Sequence, residues 1–323
     1  MAAKFELSTV PLHETASGAR YEIDVWQYRH RKTNQRIYLQ GGLHGVELTG
    51  TAMLYEFMQE VEKRQPHKTI ICVPMANPMG LDSQIMGQQV GYNNLHTNQQ
   101  NCWNWNRIGN LREEPSIEGR WIKTLLDLSA DCSTVLDFHT AGQEMAPHLY
   151  CNMNQLDPSF RLGIPHLLAW SAPSNSFCDT CYTRGQFALT FELSASRTVP
   201  REGIEMGLRA LRIFLGFEDE AKPHSRLWQV ESHLVKWLIP ESGVLSWLVP
   251  AGKEVTEGEP LVKLYRRDGI RTLESPYTGL LLLKNPIHAP HQHQEIAKFL
   301  LTKMPAKPAT SKPSASKPAP EEE

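Results

Sequence analysis

His44 and Glu47 stand three residues apart in Gly41-Gly42-Leu43-His44-Gly45-Val46-Glu47. At that spacing an imidazole and a carboxylate share one side of a helical turn. They then make half of a zinc site. The pair also fits a capped helix start whose His and Glu face water, so by itself it leaves both readings open. Three more stretches carry groups of the same kind. His139 closes Thr134-Val-Leu-Asp137-Phe-His139, Glu192 closes Phe187-Ala-Leu-Thr-Phe-Glu192, and Asn106-Arg107 closes a stretch rich in Asn and Gln. Each alone fits a packed or capped polar residue. Brought together, His44, Glu47 and His139 form a His₂Glu set with one open position, the arrangement of a catalytic rather than a structural zinc site. Zinc in such a site lowers the pKa of bound water to about 7. A nearby carboxylate, Glu192, can take that proton and return it to a leaving amine. Asp137 is suited to orient a ligand from behind.

The elements around these residues decide whether they can meet. Arg36-Ile-Tyr-Leu-Gln40 reads as a short buried strand, and residues 48–61 carry apolar side chains at helical spacing. His44 and Glu47 therefore lie in a turn at the carboxyl end of a strand, where open α/β sheets place ligands. Tyr21-Glu-Ile-Asp-Val-Trp-Gln-Tyr, Thr69-Ile-Ile-Cys-Val, Thr134 to His139 and Phe187 to Glu192 read as further strands. Residues 117–128, 158–170 and 200–214 are expected to be helical, the last with Pro200 at its start and Gly216 beyond its end. Residues 1–19 read as an irregular or partly extended lead-in. Residues 81–107 form a long polar loop, and a loop of that length inside a compact domain is usually functional. Strands alternating with helices predict an α/β fold with a mostly parallel or mixed sheet flanked by helices. Strand ends of one polarity meet at one sheet edge, so His44, Glu47, His139 and Glu192 can share a site.

The character changes near residue 225. Gly243-Val-Leu-Ser-Trp-Leu-Val, Pro260-Leu-Val-Lys-Leu-Tyr and Thr278-Gly-Leu-Leu-Leu-Leu are short strands between Gly, Pro and Asp-Gly turns. The expected division is a catalytic domain over residues 1–225, a small all-β domain over 226–303, and a tail over 304–323. The tail is Ala, Lys, Pro, Ser, Thr and Glu; it cannot bury a core and is expected to be disordered.

Composition excludes several classes. The 323 residues carry a formal net charge of -2, without a basic stripe for nucleic acid. No apolar run reaches membrane-spanning length, and the first residues hold no apolar segment of a secretion signal. Six cysteines in such a chain suggest reduced thiols and a cytoplasmic protein. Cys178-Asp-Thr-Cys181 is a lone C-x-x-C without the second pair of a structural zinc site. Its role and the oligomeric state stay open.

The order of His44-x-x-Glu47, Asn77-Pro78, Asn106-Arg107, Asp137-Phe-His139-Thr and the strand-end Glu192 resembles that of the zinc-carboxypeptidase-like deacylases. The branch it resembles is the succinylglutamate desuccinylase/aspartoacylase family. The motifs span roughly residues 20–215, and the β domain fits the family's domain order more loosely. The resemblance implies a zinc metallohydrolase that cleaves the carbon–nitrogen bond of an N-acyl amino acid. It implies one zinc per chain on His44, Glu47 and His139, with Glu192 as general base and proton shuttle. It makes Asn106 and Arg107 the substrate-binding pair that holds a carboxylate. The chain departs from the pattern at Gln99, where aspartoacylases carry an arginine that polarises the scissile carbonyl. Either another cation substitutes, with Arg184 as the candidate, or the substrate differs. The β domain also looks like biotinyl/lipoyl sandwiches in Gly243-x₆-Pro-Ala-Gly252, but without a modified-lysine motif. A role in shaping the catalytic mouth fits it better than cofactor carriage.

Two rivals remain at this level. One is a zinc carboxypeptidase acting on peptides or cell-wall fragments. The other is a binding protein of the same fold that has lost turnover.

Overall fold

The computed structural model describes residues 3–30, 33–85, 88–89, 104–107, 116–172, 174–220 and 225–302. Most of the polar loop, including Gln99, and the whole expected tail lie outside these residues. The centre is a nine-stranded sheet. Its strands run in the order Phe5–Glu14, Arg20–Tyr28, Thr69–Val73, Arg36–Gly41, Thr134–His139, Phe187–Glu192, His148–Asn152, His166–Trp170 and Arg226–Gln229. The four strands from Thr69–Val73 to Phe187–Glu192 are mutually parallel. His148–Asn152 then inserts antiparallel to Phe187–Glu192, and the two strands beyond it follow its direction. The sheet is therefore mixed.

Alternation along the strands explains the two apolar layers. In Thr134–His139 every residue is buried. Leu136 and Phe138 turn to one face, where they pack with Met53, Leu54 and Phe57 of the Thr49–Arg64 helix and Leu208 of the Arg201–Phe214 helix. Val135 turns to the other, toward Trp121 and Leu125 of the Ile117–Ser129 helix and Phe177 of the Phe177–Thr183 helix. Asp137 and His139 share the parity of Val135, and so leave the sheet on that second face.

Two expected elements differ. Phe5–Glu14 is a strand rather than an irregular lead-in. Its side chains are mostly exposed, so it has no apolar alternation to announce it; pairing with Arg20–Tyr28 along the backbone creates it. The helix expected over 158–170 is only Leu156–Phe160, followed by the His166–Trp170 strand. Gly163 and Pro165 interrupt the helix. The apolar run beyond them has no period of its own, and it is buried between two neighbouring strands.

The C-terminal strands form an antiparallel sheet of Leu234–Leu238, Glu295–Leu301, Gly279–Lys284 and Glu254–Val255, and a second of Val244–Trp247, Pro260–Arg266 and Gly269–Glu274. Leu261, Leu264, Leu281 and Phe299 fill the core they share. The two parts of the chain interleave. Arg226–Gln229, beyond the expected boundary at residue 225, is the edge of the large sheet. Glu144–Met145, five residues past His139, pairs with Gly279–Lys284. Lys284 is 4% exposed, and its Nζ donates to Glu144 Oε2 at 2.6 Å. Ala251 N donates to the other oxygen at 2.7 Å. Lys284 is buried while the Glu144 side chain is half-exposed, so removing Glu144 strips a buried charge of its partner, whereas removing Lys284 takes away the buried charge itself. Glu144→Ala is therefore expected to lose about 1.5–3 kcal/mol of stability, and Lys284→Met less. Urea unfolding of both variants checks the order, and a larger loss for Lys284→Met would contradict it.

Candidate metal and catalytic site

His44 and Glu47 follow the Arg36–Gly41 strand and precede the Thr49–Arg64 helix. Their turn is pressed against a second one: a Cβ on Gly45 would lie 2.1 Å from the Gly80 carbonyl carbon. Only a glycine allows that approach. Asn77 fixes the neighbouring turn, donating to Leu43 O at 3.0 Å and accepting from Gly80 N at 2.8 Å. Hence the Asn-Pro motif braces the loop that carries His44.

His44 Nδ1 lies 3.1 Å from Glu47 Oε1, and His139 Nδ1 lies 2.9 Å from Glu47 Oε2. All three residues are buried, and their ligand atoms lie within 4.8 Å of one another. The outer nitrogens fix the tautomers. Asn104 Oδ1 accepts the backbone N–H of Asn106 at 2.8 Å, which identifies it as the oxygen of that amide. His44 Nε2, 2.9 Å away, must therefore be the donor. His139 Nε2 likewise donates to Asp137 Oδ2 at 2.8 Å. Both Nδ1 atoms then point lone pairs at carboxylate oxygens. Acceptor facing acceptor at this distance requires a cation between them: a proton on each ring, or a metal ion. Two imidazole nitrogens and a carboxylate, with a carboxylate behind one imidazole, suit zinc. The residues present fit that ion.

Electrostatics express the same demand. Burial acts to raise the Glu47 carboxyl, but His44 and His139 outweigh it and bring it to about 2. Burial acts to lower His139, but Asp137 and Glu47 hold it well above the ordinary histidine range. Glu192 is the opposite case. Burial first, then the charge of Glu47, pushes its carboxyl up to about 8, against the pull of His139 and Lys298. Its Oε2 is buried without a hydrogen-bond partner among the described residues.

Strand register puts Glu192 beside the cluster. Glu192 pairs with His139 across the parallel ladder and Thr190 with Asp137. A cavity of 260 Å³ opens over this face. His44, Glu47, Asn106, Arg107, His139 and Glu192 all line it. Asn106 is held by accepting from Phe177 N at 2.8 Å, at the start of the Phe177–Thr183 helix. Arg107 is exposed and donates Nη1 to Asn106 O at 2.7 Å.

Arg184 is the exception among the expected site residues. It caps the end of the Phe177–Thr183 helix and donates to Leu126 O at 3.1 Å. It precedes the Phe187–Glu192 strand, so that strand's length separates it from Glu192 and the cavity. Cys178 and Cys181 are buried free thiols in the same helix, pushed up by burial, Cys181 to about 12. Tyr277 packs on Phe299 in the β core, away from the cavity.

Other lining residues carry no mark in the sequence reading. Asn104 stands two residues before Asn106 and closes the His44 tautomer. His148 and Tyr150 line the cavity from the antiparallel strand, and Leu234, Leu283 and Lys298 from the C-terminal sheet. The alternation of His148-Leu-Tyr-Cys-Asn was the available sign of that strand.

Residues 33–215 match the sequence model of the succinylglutamate desuccinylase/aspartoacylase catalytic domain. No curated protein matches the chain in sequence. Among solved structures, a Shewanella frigidimarina protein assigned as a succinylglutamate desuccinylase/aspartoacylase is 19% identical, with a TM-score of 0.79 over 93% of this chain and 98% of its own. A family protein from Shewanella amazonensis is also 19% identical, with a TM-score of 0.79 over 92% and 99%. The product-bound ectoine utilization protein EutE (DoeB) of Ruegeria pomeroyi is 16% identical, with a TM-score of 0.71 over 93% and 95%. At these identities the likeness is one of fold, and it extends through the C-terminal β strands.

Proposed function

The chain belongs to the succinylglutamate desuccinylase/aspartoacylase family, and from that premise we propose that it is a zinc-dependent hydrolase cleaving the amide bond of an N-acyl amino acid. The observation that carries the reading is the meeting of a His₂Glu set, a half-buried carboxylate and an arginine in one cavity. His44, Glu47 and His139 would hold the zinc, with Asp137 and Asn104 fixing the two imidazoles. When bound, the ion supplies Lewis acidity toward a water and toward the scissile carbonyl oxygen. Glu192 takes a proton from the attacking water. It then gives that proton to the leaving nitrogen as the carbon–nitrogen bond breaks. A carboxyl raised by its surroundings toward neutral pH is matched to both tasks. Asn106 keeps the Asn-Arg turn at the cavity, and Arg107 offers a planar donor pair to the substrate carboxylate.

The cavity favours a small substrate. Its 260 Å³ lies below the usual range for drug-sized ligands, and the C-terminal sheet walls one side with Leu234 and Leu283. This supports an N-acyl amino acid over a peptide or cell-wall fragment. One metal per chain and action inside the cytoplasm belong to the same proposal. Among the described residues no helix is long and apolar enough to cross a membrane.

The test is a panel of N-acetyl, N-succinyl and peptide substrates with the zinc-loaded protein, followed by Arg107→Ala. A charge-assisted hydrogen bond is worth about 1.5–3 kcal/mol, so kcat/KM should fall roughly 10- to 150-fold on a good substrate. An analogue with an amidated carboxylate should show a much smaller loss, because it has already forfeited the contact. Arg107→Lys should recover little, since an ammonium lacks the planar fork. Additive losses in that double cycle would remove Arg107 from the carboxylate, and activity on peptides alone would favour the carboxypeptidase.

A further inference from the structure

Three strands bring three polar side chains into one row. His139 faces Glu192 across the parallel ladder, and Glu192 faces His148 across the antiparallel one. Partners opposed in a ladder leave the sheet on the same face, roughly 5 Å apart. The next row below is Asp137, Thr190 and Tyr150 by the same registers. All of His139, Glu192, His148, Thr190 and Tyr150 line the cavity. His148 therefore flanks Glu192 on the side away from the metal ligands.

The state of its ring is set by its neighbours. His148 Nδ1 lies 2.8 Å from Ala146 O, and a carbonyl can only accept, so Nδ1 carries the hydrogen. Ala146 is itself held, its N donating to Leu282 O of the C-terminal sheet at 2.8 Å. Tyr150 meets the ring edge-on at 5.1 Å. The residue is 1% exposed. Burial, opposed by the Ala146 bond and helped by His166 and Lys298, pushes it down to about 3, so the ring is neutral. Nε2 is then a lone-pair acceptor, and it has no hydrogen-bond partner among the described residues. His148 lines the cavity, so this acceptor is open to a donor from the ligand.

We propose that His148 is a catalytic residue that accepts, through Nε2, the N–H of the scissile amide. This rests on the amide-hydrolase reading above. The nitrogen of a secondary amide has one hydrogen and, as the carbonyl carbon becomes tetrahedral, gains a lone pair. Glu192 must deliver its proton to that lone pair. Holding the existing N–H toward His148, next to Glu192 in the row, turns the lone pair toward the Glu192 proton. The N–H bond stays intact throughout. The new proton comes from Glu192, and the electrons of the breaking carbon–nitrogen bond stay on nitrogen.

The experiment compares a secondary amide with its ester analogue, the acylated 2-hydroxy acid in which oxygen replaces N–H. The zinc-loaded full chain is assayed as wild type, His148→Leu and His148→Gln, with metal content and melting recorded for each. His148→Leu should lower kcat/KM on the amide about tenfold, the worth of one hydrogen bond, and on the ester by a clearly smaller factor. His148→Gln, whose amide oxygen can accept the same hydrogen, should recover part of the amide rate. Binding of amide and ester in the Glu192→Gln background reads the contact without turnover, and His148→Leu should weaken the amide selectively. Equal losses on amide and ester would overturn the proposal, assigning His148 to Glu192 or to packing. So would unchanged amide kinetics. A wild type that neither binds nor cleaves any N-acyl amino acid would overturn it together with the amide-hydrolase reading, a result distinct from either of the others.

Discussion

On the proposed function, Glu192→Gln is expected to yield a folded protein that still binds zinc and loses roughly 10²- to 10⁴-fold in turnover, the usual worth of a positioned acid–base group. The amide preserves the shape of the half-buried side chain and removes the proton acceptor. Zinc retention follows because the donor set lies on His44, Glu47 and His139, with Glu192 outside it. If the variant loses metal along with activity, Glu192 is a ligand and the role of Glu47 must be reassigned. The same substitution carries a pH signature in the metal-free protein. The Glu192 carboxyl is raised from 4.5 to about 8, by burial first and then by the Glu47 charge. Between those values the folded state keeps a proton that the unfolded chain has released. Stability contributed by Glu192 therefore falls as pH rises through that window. Glu192→Gln has no such proton, so it should gain stability relative to wild type from pH 4.5 to about 8 and level off above. Urea midpoints across pH check this, and parallel curves for the two proteins would contradict it.

Loss of the donor set should abolish activity and metal together. His44→Ala with His139→Ala leaves one carboxylate of three ligands, and zinc should be gone after dialysis. Turnover should then fall below that of Glu192→Gln, since neither the water nor the carbonyl is activated. Asp137→Asn gives the graded counterpart. Its carboxylate accepts from His139 Nε2 and keeps Nδ1 turned to the metal position. Loss of such a partner typically weakens metal binding 10- to 100-fold. Metal analysis of the purified variants and a chelator competition read both effects. Stoichiometric zinc in the double variant would place the metal elsewhere. An Asp137→Asn protein with wild-type affinity would reduce that carboxylate to a packing role.

Much of the site was written locally. The i,i+3 pair His44 and Glu47, the glycines around it, and His139 and Glu192 at the ends of apolar runs are short-range signals. A strand needs only its period and its turn residues to be read, and parallel strands then share an edge by rule. The conjunction of His44, Glu47, His139 and Glu192 was expected from that rule; the register sets Glu192 beside His139, and all four residues line one cavity. Asn106-Arg107 was legible as the end of a polar stretch, and it reaches the cavity through a hydrogen bond to Phe177 N, a contact no local pattern encodes.

What the tertiary structure alone decided is direction and neighbourhood. Period tells that a run is a strand but not which way it points or what lies beside it. His148–Asn152 inserts antiparallel next to Glu192, so the start of that strand, His148, meets the end of another. His166–Trp170 is a strand only because two others flank it. Arg184 had the right charge and stood close to Glu192 in sequence. The intervening strand carries it away from the cavity instead. Lys298 and Leu283 stand far from the motifs in sequence and wall the cavity, since Glu144–Met145 joins the C-terminal sheet and draws it over the site. Sequence specifies each side chain's chemistry and its local turn. Which chemistries become adjacent depends on strand order and polarity, and those are set by the burial of all the apolar faces at once.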